Sequence, residues 1–253
     1  MAHSRSPAMH NAALAQLGLD WLYVPLPLSP ERFTETVSAL PGSGFRGINV
    51  TVPHKPAASR LAHEHTDAAR AIGAANTLSF SEGRIRADNT DAGGFLDALG
   101  SPARGLTVLV LGAGGSARAV VWALREAGAA EVSVYNRTPE RAAELATAFG
   151  VRHAGRPAPA DLLVNCTSVG LDPSTTEEGA LEALGLTGYE PPPTVADLVY
   201  GARPTPLARW AQDGGSRVVD GLEVLVRQGA RSLERWTARE VPVDSMRRAA
   251  RER

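Results

Sequence analysis

Lys55 is the only lysine in a chain of 253 residues that carries 26 basic side chains, so the other 25 are arginines. An ammonium group can lose its proton in a suitable site, whereas a guanidinium group effectively never does. A lysine kept where arginine would serve equally well as a surface charge therefore predicts a proton-transfer role. The alternative is an ordinary exposed lysine.

Three polar clusters in the outer segments are not expected from packing alone. They are His3-Ser4-Arg5-Ser6-Pro7, the stretch from Gly47 to Lys55, and Asn76-Thr77 together with Asn89-Thr90-Asp91. In the second cluster Asn49, Thr51 and Lys55 come where a predicted strand leaves its sheet, and such strand ends are where open α/β sheets bind ligands.

A glycine-rich turn follows the apolar run Thr107–Leu111 and opens an apolar helix. Its residues are Gly112, Ala113, Gly114, Gly115, Ser116 and Ala117. In such a turn Gly112 permits the tight bend, Gly114 lets the backbone approach a pyrophosphate, and Ala117 allows close packing of helix on strand. The strand-turn-helix setting predicts a dinucleotide site, although the bare pattern also occurs in ordinary turns.

The next predicted strand ends at Asn136-Arg137-Thr138, where an NAD enzyme would place an acidic side chain on the ribose hydroxyls. No acid is present there. Arg137 and Arg141 instead offer two guanidinium groups suited to a 2′-phosphate, so the sequence predicts NADP as the cofactor. Two solvated arginines are the alternative.

The chain alternates predicted strands and helices, which favours an α/β fold of two αβα domains. The predicted strands are Trp21–Leu28, Gly47–Val52, Thr77–Phe80, Thr107–Leu111, Glu131–Tyr135, Asp161–Asn165, Thr194–Val199 and Arg217–Val219. Ser6, Ser29 and Thr138 each precede a proline and are predicted helix N-caps. We expect residues 93–220 to form a Rossmann-like NADP-binding domain, and residues 1–92 plus 221–253 to form a substrate-binding domain with a mostly parallel sheet.

Composition excludes several other classes of partner. The formal net charge of -1 gives no field that would hold nucleic acid or an anionic membrane. No apolar run approaches the ~20 residues that span a bilayer, and no signal peptide is evident, so a cytoplasmic location is expected. The single cysteine, Cys166, fits a reducing compartment. The six histidines show no metal-binding spacing, so no metal is expected.

Eight motifs, in order and nearly end to end, resemble the shikimate dehydrogenase family. They are Ser-x-Ser-Pro at Ser4, Asn-Val-Thr-x-Pro-x-Lys at Asn49, Asn-Thr-Asp-x-x-Gly-Phe at Asn89, the glycine-rich turn, Asn-Arg-Thr at Asn136, Asn-Cys-Thr-Ser-x-Gly at Asn165, Asp-Leu-Val-Tyr at Asp197 and Gln-Gly-Ala at Gln228. The resemblance implies NADPH-dependent reduction of 3-dehydroshikimate to shikimate, on the pathway to aromatic amino acids.

Carried over by position, the resemblance implies that Lys55 and Asp91 form the catalytic pair. The implied substrate ligands are Ser4, Ser6, Asn49, Thr51, Asn76, Tyr200 and Gln228. The implied further cofactor contacts are Thr167, Leu198, Gly221 and Asp67. The resemblance also implies an active site in the cleft between the two domains, with Gln228 brought to the substrate by the helix that starts at Gly221.

The sequence departs from the family at its beginning, because the family usually has a strand ahead of the serine motif and here Met1 falls almost directly on Ser4. We hypothesise a start codon assigned too late, or a truncated chain. Rival interpretations are a quinate/shikimate or aminoshikimate dehydrogenase, a methylenetetrahydrofolate dehydrogenase, and a non-catalytic ligand-sensing relative. A homodimer is compatible with the sequence, which does not determine the oligomeric state.

Overall fold

The computed structural model describes residues 4–252, which divide into two compact units. One unit comprises the described residues up to Gly94 together with those from Leu225 onward, and the other comprises Phe95–Val224. The segments follow the predicted order, but each boundary lies a few residues later and falls inside a helix. Within the described residues, no helix is both long and apolar enough to cross a membrane.

The first unit combines short helices with the strands of one small sheet. Before its boundary the elements are α1 (Ser6–Gln16), α2 (Pro30–Ala39), β1 (Gly47–Asn49), α3 (Lys55–Leu61), β2 (Glu64–His65), α4 (Asp67–Ile72), β3 (Thr77–Ser81), β4 (Arg84–Asp88) and α5 (Thr90–Leu99). The main apolar cluster of this unit includes Val37, Val50, Ala58, Leu78 and Ile85.

The sheet of the first unit has the order β1-β3-β4-β2 and is mainly antiparallel, which corrects the prediction of a mostly parallel sheet. The pairs β1/β3 and β3/β4 are antiparallel, and the pair β2/β4 is parallel. The cause is a hairpin: Glu82 and Gly83 alone join β3 to β4, with φ angles of 50° and 72°. A two-residue turn of this kind returns the chain antiparallel to itself.

The predicted strand Trp21–Leu28 is wrong, because residues 19–29 form neither helix nor strand. Pro25 and Pro27 have no N–H group and cannot donate to a ladder. The side chains of Leu22 and Val24 are 75% and 45% exposed. The segment therefore lacks the ladder that a strand needs, although Leu26 and Leu28 pack against the apolar cluster of this unit.

Two of the three predicted N-caps agree with the structure. Ser29 precedes α2 and Thr138 precedes a later helix at Pro139, both in extended conformation. Ser6 is instead the first residue of α1, and its N-cap is Arg5 in the α region. The prediction for Ser6 is therefore wrong by one residue.

The second unit is a doubly wound α/β domain. Its elements are β5 (Thr107–Leu111), α6 (Gly115–Glu126), β6 (Glu131–Tyr135), α7 (Pro139–Phe149), β7 (Arg152–His153), β8 (Leu162–Asn165), α8 (Glu177–Leu184), β9 (Thr194–Asp197), α9 (Pro206–Asp213) and β10 (Arg217–Asp220). The sheet is parallel throughout, in the order β10-β9-β8-β5-β6-β7. This is the strand order of dinucleotide-binding domains, with the switch point between β5 and β8.

The central strands of this sheet, β5, β8 and β9, are buried on both faces. Along β5, Val108 and Val110 belong to one apolar cluster, and Leu109 and Leu111 belong to another. Parallel strands covered on both faces read as continuous apolar runs, which is why the sequence predicts β5 and β6 with the observed bounds.

Two helices complete the chain, α10 (Gly221–Thr237) and α11 (Val243–Arg251). The boundary between the units falls within α10, so its later turns belong to the first unit. The last helix, α11, packs on α1 and buries Met246 and Ala250 completely.

Candidate active site

A buried ion pair joins the first turn of α3 to the first turn of α5. Lys55 Nζ donates to Asp91 Oδ2 at 2.7 Å. Lys55 is 6% exposed, and the Asp91 side chain is 19% exposed. An ammonium group removed from water needs a charged partner at this distance, and Asp91 provides it. The pair therefore places a proton donor, the Lys55 ammonium group, against a partly accessible acceptor, the Asp91 carboxylate.

The backbone around the pair is held by hydrogen bonds between neighbouring segments. Ala75 N donates to Lys55 O at 3.0 Å, and Val50 N donates to Asn76 O at 2.7 Å. On the other side, the buried Asp88 accepts from Asn89 N at 2.7 Å. The start of α5 that carries Asp91 is thereby fixed to the end of β4.

Asn76 lies at the centre of the polar groups. Its Oδ1 accepts from Thr90 N at 2.7 Å, which identifies the other amide atom as the donor. Its Nδ2 lies 2.9 Å from Asp91 Oδ1, 3.0 Å from Gln228 Oε1 and 3.0 Å from Thr90 Oγ1. An amide nitrogen has two hydrogens, so three acceptors compete for two donors. The residue therefore orients both Asp91 and Gln228.

Gln228 reaches this cluster from α10. Its Nε2 donates to Leu225 O at 2.8 Å, and its Oε1 faces Asn76. Gln228 is 8% exposed. The structure thus brings four predicted residues, Lys55, Asp91, Asn76 and Gln228, into one hydrogen-bonded group.

Asn49 is connected to a second set of partners. Its Oδ1 accepts from the Tyr23 hydroxyl at 3.1 Å, and its Nδ2 donates to Ser232 Oγ at 2.8 Å. Thr77 Oγ1 lies 3.2 Å from the same Nδ2 and 3.0 Å from Thr90 Oγ1, and so links the two sets. Sequence reasoning missed Tyr23 and Ser232, and it placed Thr77 and Thr90 in a polar cluster without assigning them a role. For Ser232 a signal existed, since it lies four residues after Gln228 on one helical face.

The remaining predicted substrate ligands lie outside this group in the described part of the chain. Ser4 Oγ accepts from Ser6 N at 3.3 Å, and both residues are half-buried. Thr51 is exposed in the turn before α3. Tyr200 belongs to the second unit, in the loop after β9.

The glycine-rich turn of the second unit contains two glycines in different environments. Gly112 has a φ of +105°, and an added Cβ would lie 3.1 Å from Thr167 Cγ2. Gly112 N also donates to Tyr135 O at 2.8 Å. An added Cβ at Gly114 would meet nothing within 4 Å. Gly112 therefore closes a tight turn, while Gly114 leaves open space at the N-terminus of α6, where a phosphate can approach the backbone.

The other residues of this turn differ in their exposure to solvent. Ala117 is fully buried under the turn. Ala113, Gly115 and Ser116 are half-buried at the start of α6. The turn is therefore packed against the protein at Ala117 and partly accessible to solvent at Ala113, Gly115 and Ser116.

At the ends of β8 and β9 a buried carboxylate organises the loops. Asp197 accepts from Thr205 Oγ1 at 2.6 Å, from Asn165 Nδ2 at 2.9 Å and from Val199 N at 3.1 Å. Burial raises the pKa of the Asp197 carboxyl, although these hydrogen bonds act in the opposite direction. Thr167, one of the predicted nicotinamide contacts, donates to Asn165 Oδ1 at 2.7 Å.

Gly221 begins α10 against the loop after β9. An added Cβ would lie 2.6 Å from Asp197 O and 2.7 Å from Leu198 O. Both atoms belong to the backbone and cannot move away as a side chain could. Glycine is therefore required here for packing beside Leu198, whatever its role toward a cofactor.

The predicted 2′-phosphate residues lie on the surface of the second unit. Arg137 and Arg141 are exposed, and Thr138 stands between them as the N-cap of α7. Asn136 Nδ2 donates to Thr138 O at 2.9 Å and fixes the turn. Asp67, in contrast, belongs to the first unit and pairs with Arg70 at 3.3 Å, with its side chain fully exposed.

The side chains that usually bind metal ions are dispersed. Across residues 4–252, no group of three or more His, Cys, Asp or Glu side chains is placed to hold a metal ion.

A doubly wound sheet with an open glycine-rich turn, and a separate unit with a buried lysine-carboxylate pair, define a two-domain nicotinamide-dependent dehydrogenase. Comparison with known proteins gives the family. Residues 1–78 match the shikimate dehydrogenase substrate binding domain, residues 98–162 match shikimate / quinate 5-dehydrogenase, and residues 221–251 match the shikimate 5'-dehydrogenase C-terminal domain. The chain belongs to the shikimate dehydrogenase family.

Individual relatives support the same assignment over nearly the whole chain. The shikimate dehydrogenase (NADP(+)) of Methanothermobacter thermautotrophicus is 40% identical, over 97% of this chain and 91% of the relative. That of Roseobacter denitrificans is 42% identical, over 99% and 94%. The crystal structure of shikimate 5-dehydrogenase from Thermus thermophilus, in complex with NADP(H) and shikimate, has a TM-score of 0.86 and 41% identity, covering 99% of this chain and 95% of that one.

Proposed function

We propose that this protein catalyses the reversible, NADP-dependent reduction of 3-dehydroshikimate to shikimate. The observation that carries the proposal is the buried Lys55–Asp91 pair, 2.7 Å apart, held among the amides of Asn76 and Gln228. The named activities of the relatives and the bound shikimate of the Thermus structure support the substrate.

The pair accounts for the proton that accompanies reduction. NADPH, when bound, supplies the hydride to the ketone carbon. The ketone oxygen then carries a negative charge, and Lys55 Nζ donates a proton to it. Asp91 holds the ammonium group in place and accepts its hydrogen bond. In the oxidation direction the neutral Lys55 amine removes the hydroxyl proton, and solvent exchange restores its starting state.

The substrate is a polyhydroxylated acid and needs several neutral hydrogen-bond partners. We propose that the amides of Asn49, Asn76 and Gln228 bind its hydroxyl groups. The hydroxyl groups of Ser4, Ser6, Thr51 and Tyr200 complete the proposed set of substrate ligands.

Two features of the second unit suit NADP as the cofactor. The open space at Gly114 suits a pyrophosphate, and the exposed Arg137 and Arg141 suit a 2′-phosphate. We propose that residues 112–117, Asn136 and Thr138 bind the same nucleotide. Thr167, Leu198, Gly221 and Asp67 are the proposed contacts toward its nicotinamide end.

The first test is the activity of the protein with shikimate and quinate, each with NADP and NAD. We expect shikimate with NADP to give the highest kcat/KM. Higher kcat/KM with quinate would favour the quinate/shikimate alternative. No oxidation of either substrate would contradict the proposal and favour a ligand-sensing relative.

The second test is the substitution Lys55→Ala. Loss of a positioned acid-base group should lower kcat about 10²- to 10⁴-fold. NADP affinity, measured by fluorescence titration, should stay near wild type. Arg60→Ala, an exposed basic residue in the last turn of the same helix, is the matched control and should retain activity. Substantial turnover by Lys55→Ala would contradict the assigned role.

Two further properties belong to the proposal. We propose a cytoplasmic location, which the single cysteine and the nicotinamide cofactor support. A homodimer is the proposed assembly, and light scattering on the purified protein would measure it directly.

A further inference from the structure

Ser232 is a fully buried hydroxyl group on α10 with four polar neighbours. Its Oγ lies 2.8 Å from Asn49 Nδ2, 2.8 Å from Thr77 Oγ1, 3.0 Å from Thr90 Oγ1 and 3.0 Å from Gln228 O. None of the roles proposed above explains this side chain. Its four polar neighbours all belong to the protein, and one of them is Asn49.

Counting hydrogens assigns each of these bonds a direction. The carbonyl oxygen of Gln228 can only accept, so the Ser232 hydroxyl donates its one hydrogen there. Asn49 Nδ2 lies 3.3 Å from the carbonyl oxygen of Asn76, which also can only accept, and this identifies Nδ2 as the donor toward Ser232. The second lone pair of Ser232 takes a hydrogen from Thr77 or Thr90. The one hydrogen and both lone pairs of the Ser232 hydroxyl group then form hydrogen bonds within the protein.

The opposite end of the Asn49 amide is held by Tyr23. The Tyr23 hydroxyl donates to Asn49 Oδ1 at 3.1 Å, and the Tyr23 ring stacks on His10 with centroids 4.1 Å apart. The Tyr23 backbone is fixed by Asn11, whose side chain accepts from Tyr23 N at 2.7 Å and donates to Tyr23 O at 2.9 Å. The phenol is therefore a fixed donor.

We propose that Ser232 and Tyr23 are positioning residues that together fix the amide of Asn49 for substrate binding. Ser232 holds Nδ2, Tyr23 occupies one lone pair of Oδ1, and the second lone pair of Oδ1 stays available for a substrate hydroxyl group. A carboxamide without these partners can rotate by half a turn and present a donor in place of an acceptor. This inference rests on the proposed function, because it takes Asn49 as a shikimate ligand.

The test uses Ser232→Ala and the nearly isosteric Tyr23→Phe, each alone and combined with Asn49→Ala. Loss of one neutral hydrogen bond to the amide should raise the KM for shikimate about 5- to 20-fold. The kcat should change less than about 3-fold, because Asn76 still contacts Asp91 and the Lys55–Asp91 pair is unchanged. NADP affinity should be unchanged.

The combined variants distinguish positioning from general stability. If both residues act through Asn49, adding Ser232→Ala or Tyr23→Phe to Asn49→Ala should change KM less than about 2-fold. Equal KM increases in both backgrounds would overturn the proposal. So would a fall in kcat with unchanged KM.

Ser133→Ala is the matched control. Ser133 is also buried, at 4% exposure, and its hydroxyl donates to Val108 O at 3.2 Å in the other unit. It should lose similar stability in thermal unfolding without a change in the KM for shikimate. If Ser232→Ala does not fold, Tyr23→Phe still tests whether the Asn49 amide must be held in place, because it removes one hydrogen bond with almost no change in packing.

The outcome separates the two proposals. If the wild-type protein does not oxidise shikimate with NADP, the proposed function fails. If the wild-type protein is active and both Ser232→Ala and Tyr23→Phe behave like Ser133→Ala, only the positioning role fails.

Discussion

The two units present their candidate ligands in different ways. In the first unit the groups are side chains, most of them buried, and they form hydrogen bonds to one another, as in the series Lys55, Asp91, Asn76 and Gln228. In the second unit they are a backbone turn at residues 112–117 and exposed guanidinium groups. Side-chain recognition depends on neighbours that hold each group, whereas backbone recognition depends on conformations that glycine permits.

The buried titratable groups differ in the same two regions. In the first unit, burial lowers the pKa of His10 to about 4, although the backbone groups of Ser6 and Gly229 act in the opposite direction. In the second unit, burial raises the pKa of Asp197. A fall in pH should therefore lower the stability of the folded state through His10 and raise it through Asp197.

The largest expected effect is the pH dependence that His10 gives to stability. An unfolded histidine titrates near pH 6.5, while folded His10 stays neutral down to about pH 4. Its contribution is thus present above about pH 6.5 and is lost as the pH falls toward about 4. The full loss is up to about 3 kcal/mol. Urea unfolding across this range should show a smaller pH slope for His10→Phe, which keeps a ring against Tyr23.

Asp197→Asn is the contrasting variant in the second unit. The folded pKa of Asp197 is raised, so its contribution is fully present below the unfolded pKa and is lost as the pH rises through the folded pKa. The wild type should therefore gain stability relative to Asp197→Asn as the pH falls.

For the histidine, equal pH slopes of stability in His10→Phe and the wild type would show that His10 does not cause the difference between the units.

The next effect separates the two glycines of the cofactor turn. Gly112→Ala forces a side chain into the left-handed region and against Thr167, so thermal stability and NADP affinity should both fall. Gly114→Ala has a permitted conformation and open space, so stability should stay unchanged while NADP affinity falls about 10- to 100-fold. Wild-type NADP affinity in Gly114→Ala would show that the backbone there does not approach the pyrophosphate.

The difference between the units also explains how far the sequence predicts the fold. The parallel sheet of the second unit consists of continuous apolar runs, and β5 and β6 are predicted with their observed bounds. In the first unit β2 and β4 are missed and Trp21–Leu28 is wrongly predicted, and in the second unit the two-residue edge strand β7 is missed. A short strand depends on the partner beside it. The missed local signal for the antiparallel hairpin is Gly83 in its two-residue turn.

For the site, the sequence predicts the residues whose chemistry is visible in short motifs. It predicts Lys55 from its residue type, and the family resemblance adds Asp91, Asn76 and Gln228; the structure brings these four together. It misses Ser232, whose partner Asn49 is 183 residues away along the chain. The four-residue spacing places Ser232 on the helical face of Gln228, but only the folded chain reveals that it contacts Asn49.

The last effect, confined to one nucleotide, concerns cofactor choice at the surface of the second unit. Arg137→Ala with Arg141→Ala removes two exposed positive charges near the predicted 2′-phosphate site. A charge-assisted contact to phosphate is worth about 1.5 to 3 kcal/mol, so the KM for NADP should rise about 10- to 100-fold. NAD lacks this phosphate, so its KM should change little. Arg156→Ala, another exposed arginine of this unit, controls for general loss of positive charge. An equal rise in the KM for both nucleotides would mean that the arginines attract anions without recognising the 2′-phosphate, and backbone recognition alone would then define this site.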